Sequence, residues 1–291
     1  IKDYTVRGGK RLRAAFTYFS YILLYGENEE EIMKASIFVE IIQAYLLMED
    51  DYMDRSNIRR GRPTSHVIYT EYFRKHFSGK DEEHVGASLA LTAAIIASHM
   101  SQRYLSELDF PSDRKILMLS KINDRLMYTG MGQIHDILSE VKQNITQEEA
   151  MLVHRWKTAT YTYELPLHAG AVLAGAKQKD LELLSNYAIP AGIAFQIQDD
   201  ILGIYADEEK LGKPVGSDIT EGKQTILILK VRENGTNVQK DFIDGVLGKS
   251  DLSDKELNRV REIIKDTGAY EYAKNLAQKY VEDSLNATKK M

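Results

Sequence analysis

Along most of this chain apolar residues recur at the spacing of one face of an α-helix. Ala35, Phe38, Val39, Ile42 and Leu46 follow an i, i+3, i+4, i+7 pattern that runs on into a cluster of acids. Residues 87–105 are apolar and rich in alanine, which reads as a buried helix. Residues 116–141, 150–176 and 181–205 are further long helical segments, and a smaller helical pair follows Ser253. Pro166 and Pro190 fall inside these patterns and predict kinks or breaks. The other breaker signals are Gly61-Arg62-Pro63, Asp109-Phe110-Pro111 and the stretch 211–222. Strand-like alternation is scarce, and no composition shift marks a linker. The pattern predicts an all-α chain, one helical domain over residues 1–291.

Composition narrows the function classes. A chain of 291 residues can bury a large core, and only five are proline, so long helices can run uninterrupted. Cysteine is absent, which removes disulfides, thiolate nucleophiles and cysteine metal sites and fits a reducing, cytoplasmic setting. A formal charge of −5 argues against a nucleic-acid binder. No apolar run approaches the ~18 residues of a membrane span, and no signal peptide is visible. The first thirteen residues read as the middle of a motif, so a preceding N-terminal stretch is expected.

Two acidic clusters carry the candidate chemistry. In Asp50-Asp51-Tyr52-Met53-Asp54, Asp50 and Asp54 share one helix face with Asp51 close by, and Gln43 lies on that face two turns earlier. Like charges at i, i+4 destabilise a helix unless a cation sits between them. Arg59-Arg60-Gly61-Arg62 follows at once. Carboxylates beside guanidinium groups suit a Mg²⁺-bound phosphate, the acids taking the hard cation and the arginines gripping phosphate oxygens. Taken alone, this cluster is equally a solvated helix terminus. The second cluster, Phe195-Gln196-Ile197-Gln198-Asp199-Asp200, again puts acids at the C-terminal part of an apolar helix, against the helix dipole. Two such sites suggest a shared metal-diphosphate centre.

Candidate phosphate grips surround these motifs. G-G-K-R-L-R at residues 8–13 joins flexible backbone to three cations, although a basic tail has the same composition. Lys157-Thr158 lies beside the only tryptophan, Trp156, and Lys213 and Lys223 bracket a Gly/Pro loop. Residues 216–223 are not a P-loop, because the spacing is one too long and Gln224 replaces the required Ser/Thr. The seven histidines show no metal-binding spacing.

Together these motifs resemble the trans-isoprenyl diphosphate synthases over nearly the whole chain. The anchors are G-G-K-R-L-R, then D-D-x-x-D with R-R-G-R-P-T at 50–64, and G-Q-x-x-D at 132–136. Lys157-Thr158, F-Q-I-Q-D-D at 195–200 and the loop 212–225 follow in matching order and spacing. The resemblance implies an isoprenoid-synthase fold, a single large helical bundle around a central substrate cavity. It implies Mg²⁺ ligands at Asp50, Asp51, Asp54, Asp199 and Asp200, with three ions per site. Arg59, Lys157, Thr158, Gln196, Lys213 and Lys223 match positions that hold an allylic diphosphate. Gly9, Lys10, Arg11, Gln43 and Arg60 match the isopentenyl diphosphate pocket. Gly203 stands where many members carry a third aspartate in the second motif.

The implied reaction is head-to-tail condensation of isopentenyl diphosphate with an allylic diphosphate by a homodimer. Tyr45 five residues before Asp50, with non-aromatic Leu46 at the fourth, matches archaeal geranylgeranyl diphosphate synthases. Farnesyl or longer polyprenyl products are the alternatives on chain length. A class I terpene cyclase would not need the Gly9-Lys10-Arg11 grip. A non-catalytic partner subunit usually lacks one acid motif, and a ligand-free helical scaffold would leave both clusters without a purpose.

Overall fold

Asn28, Asp81, Thr146, Thr236 and Ser253 each cap the start of a helix by accepting a backbone N–H of its first turn. The computed structural model describes residues 1–79, 81–142, 144–206 and 215–289. Backbone contacts divide the chain into two compact units, Ile1–Leu119 with Ala169–Gly175, and Ser120–His168 with Ala176–Met291.

The first unit is built around α3 (Glu29–Met53), preceded by α1 (Lys2–Val6) and α2 (Leu12–Leu23). Asn28 caps α3 by accepting the Glu31 N–H at 3.1 Å, and Glu29, Glu30 and Glu31 lie in its first turn, where the helix dipole favours acids. The Ile32, Phe38, Ile42 and Met48 side chains are fully buried. After α3 comes a two-residue ladder, β1 (Ile58–Arg59) and β2 (Arg62–Pro63), pairing Arg59 with Arg62. Its turn residues, Arg60 and Gly61, have φ of 54° and 71°, as the hairpin turn that matches strand twist requires. Then follow α4 (Ser65–His76) and α5 (Glu82–Glu107).

Helix α5 departs from the expectation of a buried helix. Its small residues Ala87, Ala90, Ala94 and Ala97 pack inward, and at Gly86 a Cβ would strike Thr70 of α4. Its larger residues, Leu89, Ile95, Ile96 and Met100, are exposed, Ile95 to 56%. The alanines let α3 and α4 approach closely, which leaves the bulkier face outside. Also against expectation, α5 is long and apolar enough by length and composition to cross a membrane, the one such helix among the described residues.

The second unit takes in most of α6 (Ser112–Val141), followed by α7 (Gln147–Val153), a π-helix (His154–Glu164) and α8 (Leu165–Ala174), the last shared with the first unit. Then come α9 (Gln178–Tyr205), α10 (Ser217–Thr220), α11 (Ile226–Asn234), α12 (Asn237–Val246), α13 (Asp254–Asp266) and α14 (Ala269–Thr288). The pair after Ser253 is as expected, and Ser253 with Glu256 forms a capping box at its start. Ile193, Ile197, Ile201 and Ile204 of α9 form the centre of the core with Ile226, Leu227 and Val231 of α11 and Ile263 and Ile264 of α13.

Neither predicted break occurs. Pro190 lies inside the continuous α9, and Pro166 is the second residue of α8, directly after the π-helix. In α-helical winding the proline ring collides with the carbonyl four residues back. The winding changes from i→i+5 to i→i+4 one residue before Pro166. The segment expected as one α-helix is therefore α, then π, then α.

Candidate active site

In the first unit the N-terminal segment is folded against the acid motif and is no loose basic tail. The Tyr4 hydroxyl donates to Asp51 Oδ2 at 2.8 Å and accepts the Ser65 backbone N–H at 2.8 Å. Arg59 grips Asp51 Oδ1 from the other side with Nε at 2.6 Å and Nη2 at 2.5 Å. Asp51 is 0% exposed. With both oxygens engaged and no solvent access, Asp51 is clamped between Tyr4 and Arg59. Asp50 and Asp54, at the last turn and C-cap of α3, are only half-buried. Arg59 Nη2 lies 3.7 Å from Asp50 Oδ2.

A crowd of cations lies beside this motif. Arg60 Nη1 donates to the carbonyls of Arg7 at 3.0 Å and Gly8 at 2.7 Å, which pins the hairpin tip to the Gly8-Gly9 turn. Gly9 has φ +108°, which L side chains rarely adopt, and a Cβ there would meet the Arg60 guanidinium at 2.9 Å. Arg11, the N-cap of α2, pairs with Glu40 at 2.6 Å, and the same carboxylate accepts the Ala14 N–H. Burial, then the neighbouring Arg11 and Arg59, pull the Arg60 pKa down, so an anion here would relieve like-charge repulsion. Lys10 is exposed. Gln43 is buried, and its Oε1 has no hydrogen-bond partner. Tyr45 is 5% exposed, and burial raises its phenol pKa while a hydrogen bond with Ser98 of α5 opposes the rise. Leu46 beside it is half-buried.

In the second unit the K-T and F-Q-x-x-D-D motifs form one hydrogen-bonded chain. Thr158 Oγ1 donates to Gln196 Oε1 at 2.7 Å, and Gln196 Nε2 donates to Asp200 Oδ1 at 2.9 Å. His154 Nε2 lies 3.1 Å from Asp200 Oδ2. Asp200, 5% exposed, is thus engaged at both oxygens, as Asp51 is. Its neighbour Asp199 is half-buried. In each motif the second aspartate turns inward to organise its neighbours, while the first keeps access to solvent.

The missing third acid has a structural answer. A Cβ on Gly203 would meet Asp218 Oδ2 at 2.6 Å, and Gly216 N–H donates to the Gly203 carbonyl at 2.9 Å. The carboxylate of Asp218 fills the space that a side chain at position 203 would need.

Lys157 lies on the π-helix and donates to Asp136 Oδ2 of α6 at 2.6 Å, and Lys223 reaches the same oxygen at 3.1 Å. Lys213 lies outside the described residues. Sequence reasoning gave no role to Asp136 beyond its place in G-Q-x-x-D, and none to Tyr4, Glu40, His154 or Asp218. Only Asp136 carried a signal, its motif.

Among the described residues no group of three or more His, Cys, Asp or Glu side chains is placed to hold a metal ion alone. Mg²⁺ is usually held by one or two carboxylates together with substrate phosphates and water, and Asp50, Asp54 and Asp199 are half-buried acids of the kind it takes.

Residues 1–264 match the Polyprenyl synthetase family. A geranylgeranyl diphosphate synthase of Sulfolobus acidocaldarius is 35% identical over 96% of this chain and 80% of its own length. A geranylfarnesyl diphosphate synthase of Aeropyrum pernix is 32% identical over 94% of this chain and 81% of its own. The crystal structure of a geranylgeranyl pyrophosphate synthase from Corynebacterium glutamicum, complexed with isoprenyl diphosphate and magnesium, superposes with a TM-score of 0.92 at 31% identity. It covers 99% of this chain and 82% of that one. With its acid motifs ordered as that family's are, the chain belongs to the polyprenyl synthetases.

Proposed function

We propose that this prenyltransferase condenses isopentenyl diphosphate with allylic diphosphates and stops at geranylgeranyl diphosphate. The observation that carries the reading is the division of labour within each acid motif. One aspartate is locked inward on a cation or hydrogen-bond chain, and its neighbour is only half-buried in the C-terminal part of its helix. Arg59, Lys157, Lys223 and Lys213 bind the allylic diphosphate, with Thr158 and Gln196 orienting it. Lys10, Arg11, Arg60, Gln43 and the Gly9 turn bind isopentenyl diphosphate. By family likeness Asp50, Asp54 and Asp199 would hold Mg²⁺, three ions in all, which would supply the charge neutralisation that makes diphosphate a leaving group.

The cationic side chains stabilise negative charge as the allylic C–O bond breaks. The double bond of isopentenyl diphosphate then forms the new C–C bond, and a proton leaves, with the released diphosphate as its acceptor. No nucleophilic side chain is required. Incubation with Mg²⁺, isopentenyl diphosphate and dimethylallyl, geranyl or farnesyl diphosphate, followed by sizing of the products, tests the proposal. A cyclised hydrocarbon, or no elongation, overturns it.

The exposed apolar face of α5, and Met127, Met131, Ile134 and Leu138 exposed on α6, support a homodimer, which sedimentation at micromolar concentration tests. The lack of cysteine supports action in a reducing compartment such as the cytoplasm.

A further inference from the structure

Asp136 has no part in the chemistry above, yet it is the meeting point of two of the proposed grips. Only 8% of it is exposed. Its Oδ2 takes one hydrogen bond from Lys157 and one from Lys223, residues that are 66 positions apart in the chain and arrive on different elements. Burial opposes its negative charge, but the two ammonium groups outweigh that and hold the carboxyl well below the usual carboxylate range. Lys223 also has Glu221 at 3.5 Å.

The surroundings fix all three side chains. One turn before Asp136 on α6 is Gly132, where a Cβ would strike the Lys157 backbone. That close crossing delivers Lys157 to Asp136, because residues four apart share a helix face. On the other side, Gln224 donates to the Ser139 and Lys142 carbonyls at the end of α6 and accepts from Arg232. The residue that disqualified this segment as a P-loop is the anchor that sets Lys223 against α6. One carboxylate oxygen shared by two lysines keeps both ammonium groups in defined places. Each ammonium has three donors and gives one to Asp136, and two half-buried like charges would otherwise push apart.

We propose that Asp136 is the positioning residue for the allylic diphosphate site, holding Lys157 and Lys223 at the spacing that grips one diphosphate. This rests on the reading of those lysines as diphosphate ligands, so the test separates the two. Binding of farnesyl diphosphate with Mg²⁺, in the absence of isopentenyl diphosphate so that no condensation occurs, is measured by calorimetry. Alongside it, KM is measured for each substrate.

Lys157→Met and Lys223→Met should each weaken farnesyl diphosphate binding at least tenfold. If neither does, the reading of the lysines fails. Asp136→Asn should weaken it at least tenfold and leave the isopentenyl KM within twofold. In the Lys157→Met/Lys223→Met background the same change should add less than twofold, because Asp136 acts only through the lysines. A role in packing alone would give an equal effect in both backgrounds and would move both substrates. Should Asp136→Asn fail to fold, Asp136→Glu keeps the charge, displaces the carboxylate and should still raise the allylic KM alone, at least threefold. The inference is overturned by lysine variants that lose allylic binding while Asp136→Asn or Asp136→Glu does not. Tighter binding in Asp136→Asn, as removal of a negative charge from an anion site would give, overturns it too.

Discussion

Replacing Tyr4 with phenylalanine removes one oxygen and tests how the first acid motif is built. That oxygen bridges Asp51 Oδ2 and the Ser65 N–H, each at 2.8 Å. Tyr4 is 5% exposed, Ser65 4% and Asp51 0%, so water cannot readily take its place. A buried polar group stranded in this way costs about 1–3 kcal/mol, and more when charged. Two stranded groups put the loss at about 2–5 kcal/mol, while the phenyl ring keeps its packing. Arg59 then faces a carboxylate held from one side only, so the KM for the allylic substrate should rise several-fold. Urea unfolding followed by far-UV circular dichroism measures the stability change. Fluorescence from Trp156, the sole tryptophan, sits in the second unit and reports that unit separately. A Tyr4→Phe protein within 0.5 kcal/mol of wild type by dichroism, about the error of such a measurement, would refute the account of Asp51 as an inward-facing organiser.

Other outcomes follow from the same geometry. Asp50→Ala and Asp199→Ala should each abolish product formation with the helical dichroism intact, whereas Asp51→Asn should cost stability as well as rate. Tyr45→Ser should lengthen the products beyond twenty carbons with little loss of turnover, as sized by chromatography. An unchanged distribution places the cavity floor elsewhere, for instance on α5. Gly203→Asp, which restores the commoner motif, should lower the melting temperature and not raise activity, because Asp218 already fills that space. His168 is 2% exposed, and burial lowers its pKa from 6.5 to about 4. The folded state therefore prefers the neutral ring, so its contribution is full above pH 6.5 and is lost as pH falls toward about 4. This amounts to about 3 kcal/mol at most, and His168→Gln should flatten the stability profile across that window.

Much of the architecture was legible because it rests on periodicity. The stripe from Ala35 to Leu46, the pair after Ser253 and the acids at helix ends all stand where apolar spacing put them. What periodicity could not show is which face of an apolar helix turns inward. In α5 the alanines won over the larger isoleucines because close approach to α3 and α4 needs small side chains. Within the acid motifs, adjacency along the chain made Asp50 and Asp51 look alike. They differ through Tyr4, 47 residues away, whose approach leaves no local trace. The Arg60-Gly61 hairpin turn was visible only as a breaker, because a ladder of two residues is too short to show alternation.

The π-helical stretch has a consequence for how this enzyme can be altered. Each i→i+5 ring holds one residue more than an α-helical ring, as an insertion absorbed between fixed flanks would leave behind. Deletion of a single residue within His154–Glu164 would let the segment rewind in the cheaper α form while α7 and α8 kept their places. Substitutions here change one side chain at a time. A deletion ahead of Lys157 would instead swing every residue between the cut and α8 around the axis, taking Lys157 and Thr158 out of register with Asp136 and Gln196. The length of this segment therefore matters as much as the identity of Lys157 or Thr158.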